Sequence, residues 1–389
     1  LKDLGYKRYS IEYLFFMCNK LIIRESLRRR VKMTDTMKAL VAHGYNNFKV
    51  EERDIPTIKE GEVLLKVGAA GVCGSDRKIF YGSKIWELNF PFVPGHEFVG
   101  EVVDLKGEVY TQDGQQVEVG DKLAPEHVIP CGDCKFCFEG KYNLCQSLEV
   151  IGSMHDGGFQ EYMVLPSDAL LWKIPDEISM EDGVLIEPLA CALYGVELAE
   201  VSLRDTVVIS GLGSIGLCML RGLVAKSPMK IIALDVNQAN LDKAKELGAD
   251  YVFNPSDYVF KHTQQDVVDK IKEVTDDYGP DIYIEASGNA NSLDLAIDAL
   301  CPGGHLLVFG IYDRQPDIDF TMISEFKELK ITGGHLCPNH FPVAINFIRR
   351  GLIEPQEIIS HQFEIDQAVE AMGYRAKDGE FRGKVIVTP

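Results

Sequence analysis

A strand-like run, Thr206 to Ser210, opens directly onto Gly211-Leu-Gly213-Ser-Ile-Gly216 and then onto a helical stretch from Ser214 to about Lys226. Few patterns this short restrict a fold as much. The first glycine permits a tight turn. The second lets backbone approach a pyrophosphate at the helix N-terminus, and the third lets helix and strand pack closely. A second apolar run, KIIALD, ends in Asp235, 19 residues beyond Gly216. An acid at that point accepts hydrogen bonds from the adenosine ribose hydroxyls and repels a 2′-phosphate, which favours NAD over NADP. The plainer alternative is an ordinary strand-to-helix turn with a surface aspartate.

The alternation continues through a helix-like stretch at 237–249, DIYIEAS at 281–287, a helix to about Ala299 and HLLVFGI at 305–311. Strands alternating with helices imply a parallel sheet. Residues 33–190 read differently, with β-branched runs such as GEVLLKVGAAGV (61–72) and FVGEVVDL (98–105) punctuated by DG, GD and DGG turns. That is the text of a β-rich domain. Residues 1–32 carry nine Lys or Arg and three acids, so this segment is +6 while the rest of the −19 chain is −25. It is read as an upstream extension outside the fold, with an Arg-rich mitochondrial presequence as the alternative.

A chain this acidic is repelled by phosphate backbones, which argues against nucleic-acid binding. No apolar run reaches the ~18 residues of a membrane span. Ten cysteines in 389 residues do not make a disulfide scaffold, and nothing points to secretion, so a reducing, cytoplasmic setting is expected. Four of the ten, Cys131, Cys134, Cys137 and Cys145, fall within fifteen residues. Short loops between thiolates let four sulfurs converge on one tetrahedral ion, usually zinc; an iron–sulfur cluster is the competing occupant. Four protein ligands leave no open position, so such a site is structural.

A second metal site would need distant residues. Cys73 stands in GVCGSD, His96 and Glu97 in PGHE, and Glu187 in the apolar LIEPLACAL. Cysteine, histidine and carboxylate are what a catalytic zinc uses, with a position left for water or substrate. Taken singly, His96 reads equally as a core histidine, Cys73 as a small apolar filler and Glu187 as the partner of a base.

Together, the GVCGSD, PGHEFVGEV, four-cysteine and GLGSIG segments resemble the zinc-dependent medium-chain alcohol and polyol dehydrogenases, in order and spacing, from Met33 to Pro389. Within that family, AKSPMKIIALD, DIYIEASG and GGHLCPNHFPVAI are most similar to erythritol/L-threitol dehydrogenases. Sorbitol dehydrogenases are also similar, but many carry an Arg-Tyr pair where this chain has Leu336 and Cys337. L-Threonine 3-dehydrogenase, another sugar-alcohol or inositol dehydrogenase, and a non-catalytic zinc-binding or redox-sensing protein are the alternatives.

The resemblance implies an α/β chain with two domains. A GroES-like β-rich catalytic domain would take 33–191 and 337–389, with the structural-zinc lobe at 131–145; a doubly wound Rossmann domain would take 192–336. It implies one catalytic and one structural zinc per chain. Cys73, His96 and Glu97 would bind the catalytic zinc, Glu187 would be an alternative ligand or the holder of its water, and Asp76 would orient the histidine. Ser75 would start a proton relay that many relatives continue through a histidine; this chain has Lys78 there. NAD would contact Gly211, Gly213, Ser214, Ile215, Gly216, Asp235, Ser287, Gly288 and Gly310. The implied reaction is NAD-linked oxidation of a secondary hydroxyl of a small polyol to the ketose. The implied assembly is a homodimer or homotetramer, with GHLLVFGI (304–311) as an edge strand pairing across a two-fold.

Overall fold

The computed structural model describes residues 36–84, 87–257, 265–312, 314–377 and 379–389. The extension read at 1–32 lies outside them. Strands β1 (Thr36–Gly44) and β2 (Asn47–Asp54) form an antiparallel hairpin. Next come β3 (Val63–Val72), β4 (Glu97–Leu105), β5 (Lys122–Pro125), β6 (Val128–Ile129), β7 (Glu149–Val150), β8 (Tyr162–Leu165) and β9 (Leu171–Lys173). The β-branched runs read from the sequence thus become β3 and β4, which pair antiparallel so that Gly71 stands opposite Glu97.

The parallel half follows: β10 (Thr206–Ser210), β11 (Lys230–Leu234), β12 (Tyr251–Phe253), β13 (Ile282–Glu285), β14 (His305–Val308) and β15 (Lys330–Gly333). Their spatial order is β12-β11-β10-β13-β14-β15, all parallel. The order reverses between β10 and β13, and ligands of such sheets bind at the carboxyl ends of the strands where it does. β10 is buried at every residue, as a central strand covered on both faces must be. One expectation is overturned here: GHLLVFGI does not supply the edge. β14 lies between β13 and β15, and the edge on its side is β15, whose KITG residues are mostly exposed, with β12 at the other.

The chain then returns to the first half. β16 (Ile359–Glu364) and β17 (Lys384–Thr388) extend the mixed sheet, whose order is β16-β17-β3-β4-β5-β9 with β8 added on β3. The helix Ile186–Leu198 is apolar almost all round and buried from Ile186 to Leu193. A helix of that composition belongs in a core. Its Leu189, Ala192 and Val196 share one apolar cluster with Val99 and Ala124 of the mixed sheet and with Ile209 and Leu217 of the parallel half. That shared core fixes the two sheets against each other, and Glu187 rides in the first turn of the helix. No helix among the described residues is long and apolar enough to cross a membrane.

Candidate active site

Among the described residues, the side chains that could hold a metal ion fall into three groups. In the first, the ligand atoms of Cys131, Cys134, Cys137 and Cys145 all lie within 4.8 Å of one another. Sulfur–sulfur separations are 3.5 Å for Cys134–Cys137, 3.5 Å for Cys145–Cys131 and 3.9 Å for Cys131–Cys137. Four thiolates about 2.3 Å from one zinc define a tetrahedron with edges of about 3.8 Å. Disulfides would need about 2.05 Å, and an iron–sulfur cluster interposes a cage that spreads its thiolates wider. The backbone N–H of Cys137 brings the Cys134 thiol down to about 6, toward the thiolate a metal needs. The donor set fits a structural zinc.

The second group is Cys73, His96 and Glu97, again within 4.8 Å of one another. Cys73 precedes the helix Gly74–Phe80, and Asp76 in its first turn reaches back to accept from the Cys73 backbone N–H at 2.9 Å. The other oxygen of buried Asp76 lies 3.4 Å from His96 Nδ1, leaving Nε2 for a metal. Burial works against protonation of His96, but Asp76 and Cys73 outweigh it and hold its pKa well above the ordinary value. Glu97, 1% exposed, receives Lys384 Nζ at 2.6 and 2.5 Å on its two oxygens. Gly71 makes room for this: a Cβ there would overlap Glu97 Oε2. Such a cradle around a soft thiol, an imidazole and a carboxylate fits a zinc ion. Ser75 follows in the same helix, half-buried. Lys78 instead donates to the Ile311 carbonyl at 2.9 Å.

Glu187 stands in the third group, with Cys191 and Cys337, all three buried. Cys191 Sγ donates to Glu187 Oε1 at 3.3 Å. Burial, reinforced by the charge of Glu97, pushes Glu187 up to about 7. His127 Nδ1 lies 3.2 Å from the same Oε1 without a hydrogen bond and has no partner at all. Burial holds the His127 pKa well below its usual value, so the ring is neutral near pH 7. Its ring centroid is 5.1 Å from that of His96. An unpartnered buried imidazole nitrogen beside a carboxyl near neutrality is what a substrate hydroxyl can satisfy. The sequence reading missed His127, Cys191 and Lys384. One signal was available: a histidine in the apolar EHVIP and a lysine in the apolar GKVIV each need a buried partner.

At the switch point of the parallel sheet a cavity of ≈ 460 Å³ is lined by Gly211, Gly213, Asp235 and Ser287 among others. Ser214, Ile215 and Gly216 form the first helical turn beneath it; Gly288 and Gly310 stand in the loops after β13 and β14. A Cβ on Gly216 would overlap the Gly211 carbonyl oxygen, whereas a Cβ on Gly213 would meet nothing within 4 Å. The third glycine is thus needed for packing and the second leaves its face open to a ligand. Asp235 Oδ2 accepts from Leu212 N at 2.7 Å and Oδ1 from Asn237 N at 2.8 Å, which orients the carboxylate at the cavity wall. An open glycine at a helix N-terminus with an oriented acid fits a dinucleotide. Val236, Pro255, Ser256 and Asn289 from connecting segments and Asn291 from the start of the helix Ala290–Ala299 also line the cavity, and none gave a sequence signal.

Comparison with known proteins accords with this geometry. The model for the alcohol dehydrogenase GroES-like domain matches residues 59–176, and the zinc-binding dehydrogenase model matches 214–350. The erythritol/L-threitol dehydrogenase of Mycolicibacterium smegmatis is 37% identical over 92% of this chain and 99% of its own. A zinc-binding dehydrogenase from Sinorhizobium meliloti 1021, bound to NADP, superposes with a TM-score of 0.82 at 30% identity, covering 92% of this chain and 100% of its own. A short-chain alcohol dehydrogenase from Escherichia coli CFT073, complexed with NADH, does so with a TM-score of 0.78 at 31% identity, covering 91% and 99%.

Proposed function

The chain belongs to the zinc-binding medium-chain alcohol dehydrogenases, oxidoreductases acting on CH–OH groups, and from that premise we propose that it oxidises a secondary hydroxyl of a small polyol of the erythritol or threitol type to the ketose, with NAD as hydride acceptor. The observation that carries this reading is the Cys73–His96–Glu97 group beside buried Glu187 and a buried His127 whose Nδ1 makes no hydrogen bond. The similarity to the M. smegmatis enzyme supports the four-carbon polyol. Asp235 supports NAD, because its carboxylate would repel the extra phosphate of NADP.

Zinc, when bound, supplies Lewis acidity toward a substrate hydroxyl, and NAD accepts the hydride. The chain's own residues do the rest. Cys73 and His96 would hold the metal, and Asp76, 3.4 Å from His96 Nδ1, would fix the imidazole tautomer. Glu97, held on both oxygens by Lys384 Nζ, would be the third candidate ligand. Glu187 Oε1, with its pKa raised to about 7, accepts the substrate hydroxyl proton near neutrality. Neutral His127 hydrogen-bonds the substrate through Nδ1. Ser75, two residues after Cys73 in the helix Gly74–Phe80, would start the relay of that proton toward water. Cys131, Cys134, Cys137 and Cys145 would hold the structural zinc.

We also assign a cytoplasmic setting, supported by nine described cysteines that are all free. A homodimer or homotetramer is supported by the exposed edge strand β15. The test is NADH formation by purified protein on a panel of erythritol, L-threitol, D-threitol, xylitol, sorbitol, galactitol, myo-inositol and L-threonine, with zinc measured in parallel. Turnover on a tetritol is expected. Turnover confined to threonine or to an inositol would overturn the substrate and leave the chemistry.

A further inference from the structure

The segment that links β15 to the helix Phe341–Arg349 carries two residues other than glycine in left-handed backbone, Leu336 at φ +57° and Asn339 at φ +62°. Leu336 is the costly one, because a Cβ disfavours that region and Asn tolerates it. Between them sits Cys337, 3% exposed, grouped with Glu187 and Cys191. Strained backbone persists only where its surroundings over-determine it.

Those surroundings are the four-cysteine lobe. Tyr142 Oη accepts from the Asn339 backbone N–H at 2.7 Å. Asn143 Nδ2 donates to the His335 carbonyl at 2.9 Å, and Asn339 Nδ2 donates to the Gly140 carbonyl at 3.1 Å. Tyr142 Oη in turn donates to Glu126 Oε2 at 2.9 Å, and Trp172 Nε1 donates to Glu126 Oε1 at 2.9 Å. Tyr142 and Asn143 lie between Cys137 and Cys145, in the short turn that a metal on the four thiols would lock. The lobe is therefore bonded at both ends of the segment that presents Cys337 to Glu187.

We propose that Tyr142 and Asn143 are positioning residues, through which the four-cysteine lobe holds residues 335–339 in strained backbone and sets the wall of the substrate end of the site. The inference rests on the polyol dehydrogenase reading for what the wall contacts, and on the hydrogen bonds alone for how it is held. A lobe that served only its own stability would not need to grip a segment some 200 residues away in the chain.

The test uses Tyr142→Phe in the zinc-loaded, full-length protein. Two quantities are read beside zinc content. The first is the KM for the accepted alcohol, expected to rise about tenfold, the worth of one or two hydrogen bonds, with kcat and the KM for NAD within about twofold. The second is the labelling rate of Cys337 by an aromatic disulfide, followed by peptide mass and expected to rise about tenfold as the segment loosens. Asn143→Ala, which frees the other end, is expected to act in the same direction and decides the matter if Tyr142→Phe does not fold. Relief of strain by Leu336→Gly in the Tyr142→Phe background is expected to recover part of the KM. The proposal is overturned if alcohol KM and Cys337 labelling both stay at wild-type values. It is also overturned if NAD and alcohol KM rise together with general thiol exposure, the mark of a lobe that merely supports the fold. If no alcohol on the panel is oxidised by the wild type while Cys337 labelling still accelerates in the variants, the clamp stands and the substrate reading fails.

Discussion

The four-cysteine lobe and the Cys73–His96–Glu97 group are both clusters of side chains suited to holding a metal, built in opposite ways. The lobe draws its four ligands from fifteen consecutive residues at the surface, and Cys131 is exposed. Nothing but the metal is needed to neutralise them. The second group draws from the residue after β3 and from the entry into β4, and balances its charges with protein: Asp76 against His96, Lys384 against Glu97. A site that fills all four positions from one loop can only hold structure. A site that takes some positions from afar, and spends buried charges on orienting them, can keep one open for substrate.

Several variants would break or sharpen that contrast. His96→Ala should leave the lobe metal in place, drop the zinc content from two to one per chain and lower kcat/KM by roughly 10⁴-fold, the several kcal/mol that metal polarisation supplies. Loss of both ions would mean the two sites are not independent. Lys384→Met leaves Glu97 buried without its cation, at a cost of about 3 kcal/mol or more in urea unfolding. No pair in the lobe should approach that figure, since its ion pairs, such as Lys141–Glu139, are solvent-exposed. Asp235→Ala should raise the KM for NAD about tenfold and relax discrimination against NADP, measured with both cofactors at saturating alcohol.

The smallest effect concerns Glu126, which burial raises from 4.5 to about 7 although Trp172 and Tyr142 pull the other way. The folded protein therefore holds a proton there that the unfolded chain releases earlier. That contribution is full below about pH 4.5 and is lost as pH rises through about 7. Glu126→Gln should flatten the fall in stability between pH 5 and 8 by about 1–2 kcal/mol, as followed by thermal melts across that range. An unchanged slope would mean Glu126 is ionised in the fold.

The two regions also differ in how far they could be read from the chain itself. The lobe and the Gly211–Gly216 turn are local, so spacing alone carries them. Cys73, His96 and Glu97 were readable as types but not as a set, because only the pairing of β3 with β4 brings Gly71 opposite Glu97. His127, Cys191 and Lys384 depend on the placement of the Ile186–Leu198 helix and of β17, which no local pattern encodes. The misread edge strand has the same origin. Parallel strands are ordered by crossovers, and the short, polar KITG that takes the edge looks unlike a strand next to the apolar HLLVFGI.

The Lys384–Glu97 bond spans 287 residues of chain. During synthesis, Glu97 and the thiol of Cys73 leave the ribosome long before the cation that will neutralise the carboxylate exists. Until then the half-built sheet has no β17 beside β3 and one bare charge where its core should close. Contacts of such separation form late and slowly. The lobe, complete within fifteen residues, has its ligands assembled while translation continues, whereas the Cys73–His96–Glu97 site would be finished only once strand β17 docks beside β3. Metal supply during growth would then act on the two sites at different moments of the protein's birth.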